Sequence, residues 1–149
     1  MRRALVLALL LGACAGKAPL PEVSIPLRNP TAPVASQSDV TGARLDGDWV
    51  VVEGGGIAPG TRLRFSSGRI AVDGMTMPFE AQGQGRFTLG GQRIWVHWLD
   101  ADNRTAALGD PDGKRVWIMD RTGRPGERLG AAQEILRWYG YDLARLNRG

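Results

Sequence analysis

The sequence predicts an antiparallel all-β domain, a barrel or a sandwich, with one helix at its C-terminal end. Three observations predict it. Short strand-like runs recur about every 8–11 residues, with turn residues between them. Glycine is abundant, 21 of 149 residues, and there are nine prolines, a composition that favours turns and strands over a helix bundle. A period near 3.6 replaces this cadence only after Pro125. With 43% hydrophobic and 23% charged residues, and five Trp, three Phe and two Tyr, the chain can bury one core of ordinary size.

The strand-like runs are 49–52, 62–65, 69–72, 77–81, 86–89, 94–99, 105–108 and 116–120. Turn signals separate them: Gly54 to Gly56, Ser66 to Gly68, Asp73 with Gly74, Gly90 with Gly91, Asp102 with Asn103, and Asp110 to Gly113. Links this short can join antiparallel neighbours, whereas parallel ones need a long crossover. The helix is expected over about residues 126–139. Pro125 suits its start and Glu127 its first turn. Leu129, Ala132, Ile135, Leu136 and Tyr139 form its apolar stripe, and Gly140 is a stop. The tail from Tyr141 to Leu146 adds apolar residues that can pin its end.

The N-terminus carries an address. Arg2 and Arg3 precede an apolar run from Ala4 that ends in Leu11, Gly12, Ala13 and Cys14. A membrane-spanning helix needs roughly 20 apolar residues, and this run has about half that, so it reads as an export signal. The tetrad Leu11-Gly12-Ala13-Cys14 resembles the bacterial lipobox. That resemblance implies removal of residues 1–13 as a signal peptide and acylation of Cys14 as the new N-terminus. Each buried methylene of an acyl chain contributes about 0.8 kcal/mol, and two or more chains anchor stably. Ala15 after the cysteine is similar to enteric lipoproteins of the outer membrane that face the periplasm. Retention at the inner membrane is the other address open to such a protein. Residues 14–39, with Pro19, Pro21, Pro26, Pro30 and Pro33, read as an extended tether. Val23 and Ile25 are candidates for packing along the domain, which spans residues 40–149.

Composition also excludes functions. The net charge of +4 falls once Arg2 and Arg3 are removed, leaving 17 basic against 15 acidic groups, with no basic run longer than two. That balance does not suit a nucleic-acid partner. Cys14 is the single cysteine and His97 the single histidine, so neither a disulfide framework nor a multi-histidine metal site is available. His97 as a general base needs a nucleophile and an orienting carboxylate. Asp100 is near it in sequence, but no nucleophile motif appears. Asp102, Asp110 and Asp112 lack the spacing of a calcium loop, and Gly54 to Gly56 precede no helix that could hold a phosphate. No metal, no cofactor and no catalytic residue is expected, so the chain does not read as an enzyme.

Two further segments carry a family resemblance. Gly47-x-Trp49 opens the first strand. Leu99, Asp100 and the turn at Gly109, Asp110, Pro111 and Asp112 lead into Val116, Trp117, Ile118, Met119, Asp120, Arg121 and Thr122, and a helix and Gly140-Tyr141-Asp142 follow. In order and spacing this is similar to the bacterial outer-membrane lipocalins. The resemblance implies a small up-and-down barrel of about seven to eight strands, with the helix packed on its side. It implies a structural motif of Gly47, Trp49 and Arg121, the guanidinium lying across the indole at the closed end. The chain reads as a shortened member, with a reduced first loop, a trimmed middle hairpin and a last short strand nearly absent.

Alternation from Arg121 points Trp117 and Met119 inward, joined by Trp49 and Val51. Ile94, Val96 and Trp98 share one face of their strand, opposite Trp95 and His97, and parity leaves open which face is interior. By resemblance, Val51, Val96, Trp98, Trp117 and Met119 line an apolar calyx for a fatty acid such as palmitate, or a lysophospholipid. In a barrel this small the same residues can form a solid core. Two other readings stay open. One is a structural envelope lipoprotein with a filled barrel. The other is a periplasmic protease-inhibitor barrel, whose usual disulfide this chain lacks. The sequence names no protein partner.

Overall fold

A computed structural model describes residues 25–149. The lipobox residues Leu11, Gly12, Ala13 and Cys14, with Pro19, Pro21 and Val23, lie outside the described residues. The elements in order are α1 (Gly42–Leu45), β1 (Gly47–Gly55), β2 (Arg62–Ser66), β3 (Arg69–Val72), β4 (Met75–Gly83), β5 (Arg86–Leu89), β6 (Gln92–Leu99), β7 (Thr105–Gly109), β8 (Val116–Asp120), α2 (Arg128–Trp138) and β9 (Asn147–Arg148).

Each strand from β1 to β8 pairs antiparallel with the next, and β1 also pairs with β8, from Val50 opposite Asp120 to Gly55 opposite Val116. The result is a closed eight-stranded up-and-down barrel. Closure leaves β1 to β8 without a free sheet edge. All eight barrel strands are present. The strands themselves are short, four residues in β3 and in β5. The last short strand is reduced to two residues: β9 pairs with Glu53 and Gly54 of β1, beyond the point where β2 has turned away.

Alternation decides what faces the interior. Leu63 and Phe65, Ile70 and Val72, Met77 and Phe79, and Phe87 and Leu89 are the buried positions of β2 to β5, with exposed or half-buried residues between them. Each such side chain contributes about 1.5–3 kcal/mol on full burial. β7 and β8 are buried on both faces. Inside stand Ala106, Leu108, Trp117 and Met119, while Ala107, Val116 and Ile118 pack outward against Ala132 and Leu136 of α2.

β6 breaks the alternation. Val96 pairs with Leu108 but Trp98 pairs with Ala107, so His97 is the extra residue of a β-bulge. Ile94, Val96 and Leu99 point inward, and Trp98 packs outside against the α2 cluster. The shared face of Val96 and Trp98 expected from strict alternation is therefore corrected.

α2 starts at Arg128, two residues later than expected, because Pro125 and Gly126 form a turn whose carbonyls accept from Arg128 and Leu129. It stops at Gly140, whose φ of +86° only glycine adopts cheaply, and the Tyr141 N–H returns to the Leu136 carbonyl.

The described part of the lead belongs to the domain. The Leu27 N–H donates to Gly113 O at 2.7 Å, Asn29 N–H to Gly140 O at 2.8 Å, and Gln37 N–H to Val96 O at 2.8 Å. Leu27 is buried, whereas Ile25 is exposed. Val40 and Leu45 then cap one barrel end from inside the core. This closed end holds α1 and the turns after β2, β4, β6 and β8. The opposite end, the mouth, holds residues 56–61, Asp73 with Gly74, Gly90 with Gly91, and residues 110–115.

Candidate functional site

At the closed end Trp49 is buried and its indole N–H donates to Leu45 O at 2.7 Å. The Arg121 guanidinium carbon lies 3.8 Å from the Trp49 ring centroid. Arg121 Nε donates to Asn103 O at 2.9 Å, Nη1 to Asp46 O at 2.7 Å and Nη2 to Arg44 O at 3.1 Å. The cation thus sits on an aromatic face and ties β8 to the segment around α1 and to the turn after β6. Gly47 has φ of +104°, and a Cβ there would stand 3.0 Å from Arg121 Nη1. The motif spacing reflects that close approach.

Between the ends the interior is entirely apolar. Phe65 meets Phe79 edge-on at 5.1 Å, and Phe79 stacks on Phe87 at 4.6 Å. The Trp117 indole N–H faces Met119 Sδ at 3.4 Å. Val51, Val96, Trp117 and Met119 are brought together in this cluster, and Trp98 is left outside it. At the closed end a shallow pocket of about 50 Å³ lies between Phe65, Phe79 and Phe87 and the exposed Asp46, Ser66 and Arg69. One water takes about 30 Å³ of liquid, so that space does not hold an acyl chain.

The mouth is shut by residues 56–61. Ile57 turns into the interior cluster. Buried Arg115 donates from Nε to Gly56 O at 3.2 Å and from Nη1 to Gln92 Oε1 at 2.7 Å. The sequence singled out neither residue, since one isoleucine in a loop carries no periodic signal. Larger grooves open on the outer wall. One of about 520 Å³ lies between β6 and α2, lined by Trp98, Ile135 and Trp138. Another, of about 570 Å³, lies beside β1 and is lined by Val52, Leu129 and Glu53.

His97 faces outward and is buried under the lead. A carbonyl only accepts, so Nδ1 donates to Ala35 O at 2.6 Å, and Nε2 meets the Tyr141 hydroxyl at 2.8 Å. That hydroxyl also lies 3.0 Å from Asp110 O. Burial lowers the His97 pKa to about 4, helped by the nearby Arg28 charge and opposed by the bond to Ala35. Arg28 is itself spent on carbonyls, with Nε to Tyr139 O at 2.8 Å, Nη1 to Pro111 O at 3.1 Å, and Nη2 to Ala32 O. Asp100 does not orient His97. It accepts from the Arg104 and Thr105 N–H groups at 2.6 and 2.8 Å and from Arg128 Nε at 3.0 Å. Neutral imidazole between a carbonyl and a phenol is a structural knot. Sequence reasoning missed it because Tyr141 is 44 residues from His97.

Among the described residues no group of three or more His, Cys, Asp or Glu is placed to hold a metal, and no helix is long and apolar enough to cross a membrane. Residues 67–149, more than half of the chain, match a family model described as a lipocalin-like domain. That span runs from β3 to β9 and includes Arg121, Trp117 and Met119. No curated protein matches the chain at a significant level.

Proposed function

The chain belongs to the lipocalin-like family, and on that premise we propose that it binds a small apolar ligand, a fatty acid or a lysophospholipid, while anchored to a bacterial envelope membrane. The observation that carries the reading is the asymmetry of a wholly apolar interior. One end is fixed by hydrogen bonds through Arg121 to two separate segments, and the other is closed by the loop 56–61, with Ile57 in the core and Arg115 on Gly56 O. A ligand enters by lifting residues 56–61 and displacing side chains such as Met119. About ten buried methylenes gain roughly 8 kcal/mol. Exposing Ile57 costs about 1.5–3 kcal/mol, to which repacking adds.

The anchor in this reading is acylated Cys14, after removal of residues 1–13, with the domain in the periplasm on the outer membrane. The tetrad ending in Cys14 and the following Ala15 support it. No catalytic step is assigned, since His97 is neutral and meets no nucleophile.

One observation favours a second reading, a structural envelope lipoprotein with a filled barrel: Phe79 stacks on Phe87 and meets Phe65 edge-on, so aromatic rings occupy this part of the interior. The inhibitor-barrel reading is weaker, because α2 packs across β7 and β8 where such barrels have no helix. A titration of the Cys14→Ser protein with a fluorescent fatty acid, read by transfer from tryptophan, separates the first two. Saturable binding near or below micromolar, lost in a folded Met119→Asp variant, supports the calyx. No binding by the folded protein leaves the filled barrel.

A further inference from the structure

We propose that the mouth end of the barrel is the surface that seats on the lipid bilayer, so that the loop at residues 56–61 opens toward lipid rather than toward bulk water. The inference rests on the anchored ligand-binding reading above and adds an orientation to it.

Three large apolar side chains stand exposed among the described residues: Ile25 at 67%, Met75 at 52% and Trp138 at 75%. Single exposed apolar residues are ordinary on a soluble protein. What is not ordinary is their common address. Met75 follows the Asp73–Gly74 turn at the mouth. Ile25 is two residues from Leu27, whose N–H is held by Gly113 in the mouth loop between β7 and β8. Trp138 ends α2 next to Tyr139, and Arg28 clamps the Tyr139 carbonyl and the Pro111 carbonyl of that same loop. The closed end exposes no large apolar side chain among the described residues. Tryptophan is the residue most at home where headgroups meet acyl chains.

The lead joins the domain at this end too. Arg145 donates to Ile25 O at 2.8 Å and to Pro26 O at 2.7 Å, fixing where the chain enters. Cys14 precedes Ile25 by eleven positions. At most about 3.6 Å per residue, the acyl group is never farther than about 40 Å from Ile25. A tether that short keeps the mouth end at high effective concentration near the membrane.

Lys114, Arg137 and Arg145 are exposed at this end. The carboxylates beside them are Asp112, paired with Arg93, Asp73 and Asp142, which accept backbone N–H groups and keep their charge, and exposed Glu134 in the turn before Trp138.

The test reconstitutes the acylated protein into vesicles of phosphatidylethanolamine and phosphatidylglycerol, with plain or brominated acyl chains. Trp138→Phe removes one indole at an exposed position and keeps the fold. Bromine is expected to quench wild-type emission, and that quenching to fall at least twofold in Trp138→Phe at equal vesicle sedimentation. Sedimenting protein whose Trp138-dependent emission is the same in both vesicle types overturns the proposal. The mass of the purified protein reads acylation separately. A chain without an acyl group sinks the anchoring reading alone, and the same comparison at raised vesicle concentration then decides the docking face. A double variant, Ile25→Asp with Met75→Asp in the Cys14→Ser background, is expected to weaken vesicle binding at least fivefold. Unchanged binding in that variant counts against the proposal even if Trp138→Phe misfolds.

Discussion

At the closed end a guanidinium lies over an indole and holds three backbone carbonyls; at the mouth an isoleucine on a short loop dips into the core. Both seals exclude water from the same apolar interior. The first cannot be opened without stranding buried donors and acceptors. Opening the second parts Arg115 from Gly56 O and the Val51 backbone from Gly60 and Thr61, while the β1–β2 pairs from Gly47 to Val50 lie outside that loop. The difference is one of span: Arg121 joins the segment around α1 to the turn after β6, whereas the mouth bonds join residues 56–61 to β1 and Arg115.

The largest expected effect breaks the closed end. Trp49→Ala removes a fully buried indole and the platform of Arg121, and is expected to cost about 3–5 kcal/mol in chemical denaturation. Arg121→Ala is expected to cost about 2–4 kcal/mol, through the lost cation–π contact and the carbonyls left without donors. Arg121→Lys should recover little, because one ammonium cannot replace a planar fork that reaches Asn103, Asp46 and Arg44 at once. A loss below 1 kcal/mol for either substitution at Arg121 would mean that the closed end is held by α1 packing alone.

The next effect lies between the ends, where the lead crosses β6. His97 is held near pKa 4 by burial, against about 6.5 when unfolded. A depressed histidine binds fewer protons folded than unfolded, so stability is full above about pH 6.5 and falls as the pH drops toward 4. The difference amounts to about 3 kcal/mol. Asp100 and Asp120 act lower. Burial pulls both up, but hydrogen bonds from Thr105, Arg104 and Arg128 on Asp100, and from Thr105, Thr122 and Arg124 on Asp120, bring them below the usual carboxylate value. Their contribution is lost only below about pH 4. Burial raises Asp110, which opposes the loss slightly near that pH. Replacing His97 with Phe should flatten the curve between pH 6.5 and 4 and leave the steeper fall beneath it. A wild-type curve flat across that window would show that the lead lifts from His97 in solution.

The closed end was legible in the sequence because its parts stand at fixed spacing in a strand or directly after one. Gly47 and Trp49 are separated by one residue, and Arg121 follows a strand that alternates cleanly through Trp117 and Met119. Strand positions were legible for the same reason, as were the helix stripe and its glycine stop. The bulge at His97 was not. It adds one residue without any change in composition, and from there Trp98 leaves the interior. Ile57, Arg115 and the His97–Tyr141 contact were hidden because loop insertions and long-range pairs leave no periodic trace. The lead shows a related limit. Its prolines read as a tether, but three backbone hydrogen bonds from Leu27, Asn29 and Gln37 bind it to the barrel.

At the mouth, a smaller effect sharpens the comparison. Ile57→Ala should cost about 2 kcal/mol, toward the low end for core truncations because a loop can settle into the space. If the calyx reading holds, the same variant should take up a fluorescent fatty acid several-fold faster in stopped flow. Slower or unchanged uptake would place the entry elsewhere, and the groove between β6 and α2 becomes the first alternative.

The smallest expected effect compares two tryptophans. Trp49 and Trp138 have the same side chain at opposite ends, one buried and one 75% exposed. In water, Trp138→Ala should change stability by no more than about 0.5 kcal/mol, as for other exposed positions without a buried partner. Set against several kcal/mol for Trp49→Ala, that near-zero value would show that the mouth-end indole is not retained by the needs of the fold. Its free energy is then available to something outside the barrel. A loss above 1.5 kcal/mol would mean instead that the ring covers Trp98 and Ile135 in the outer groove. In that case the apolar mouth end is part of the fold.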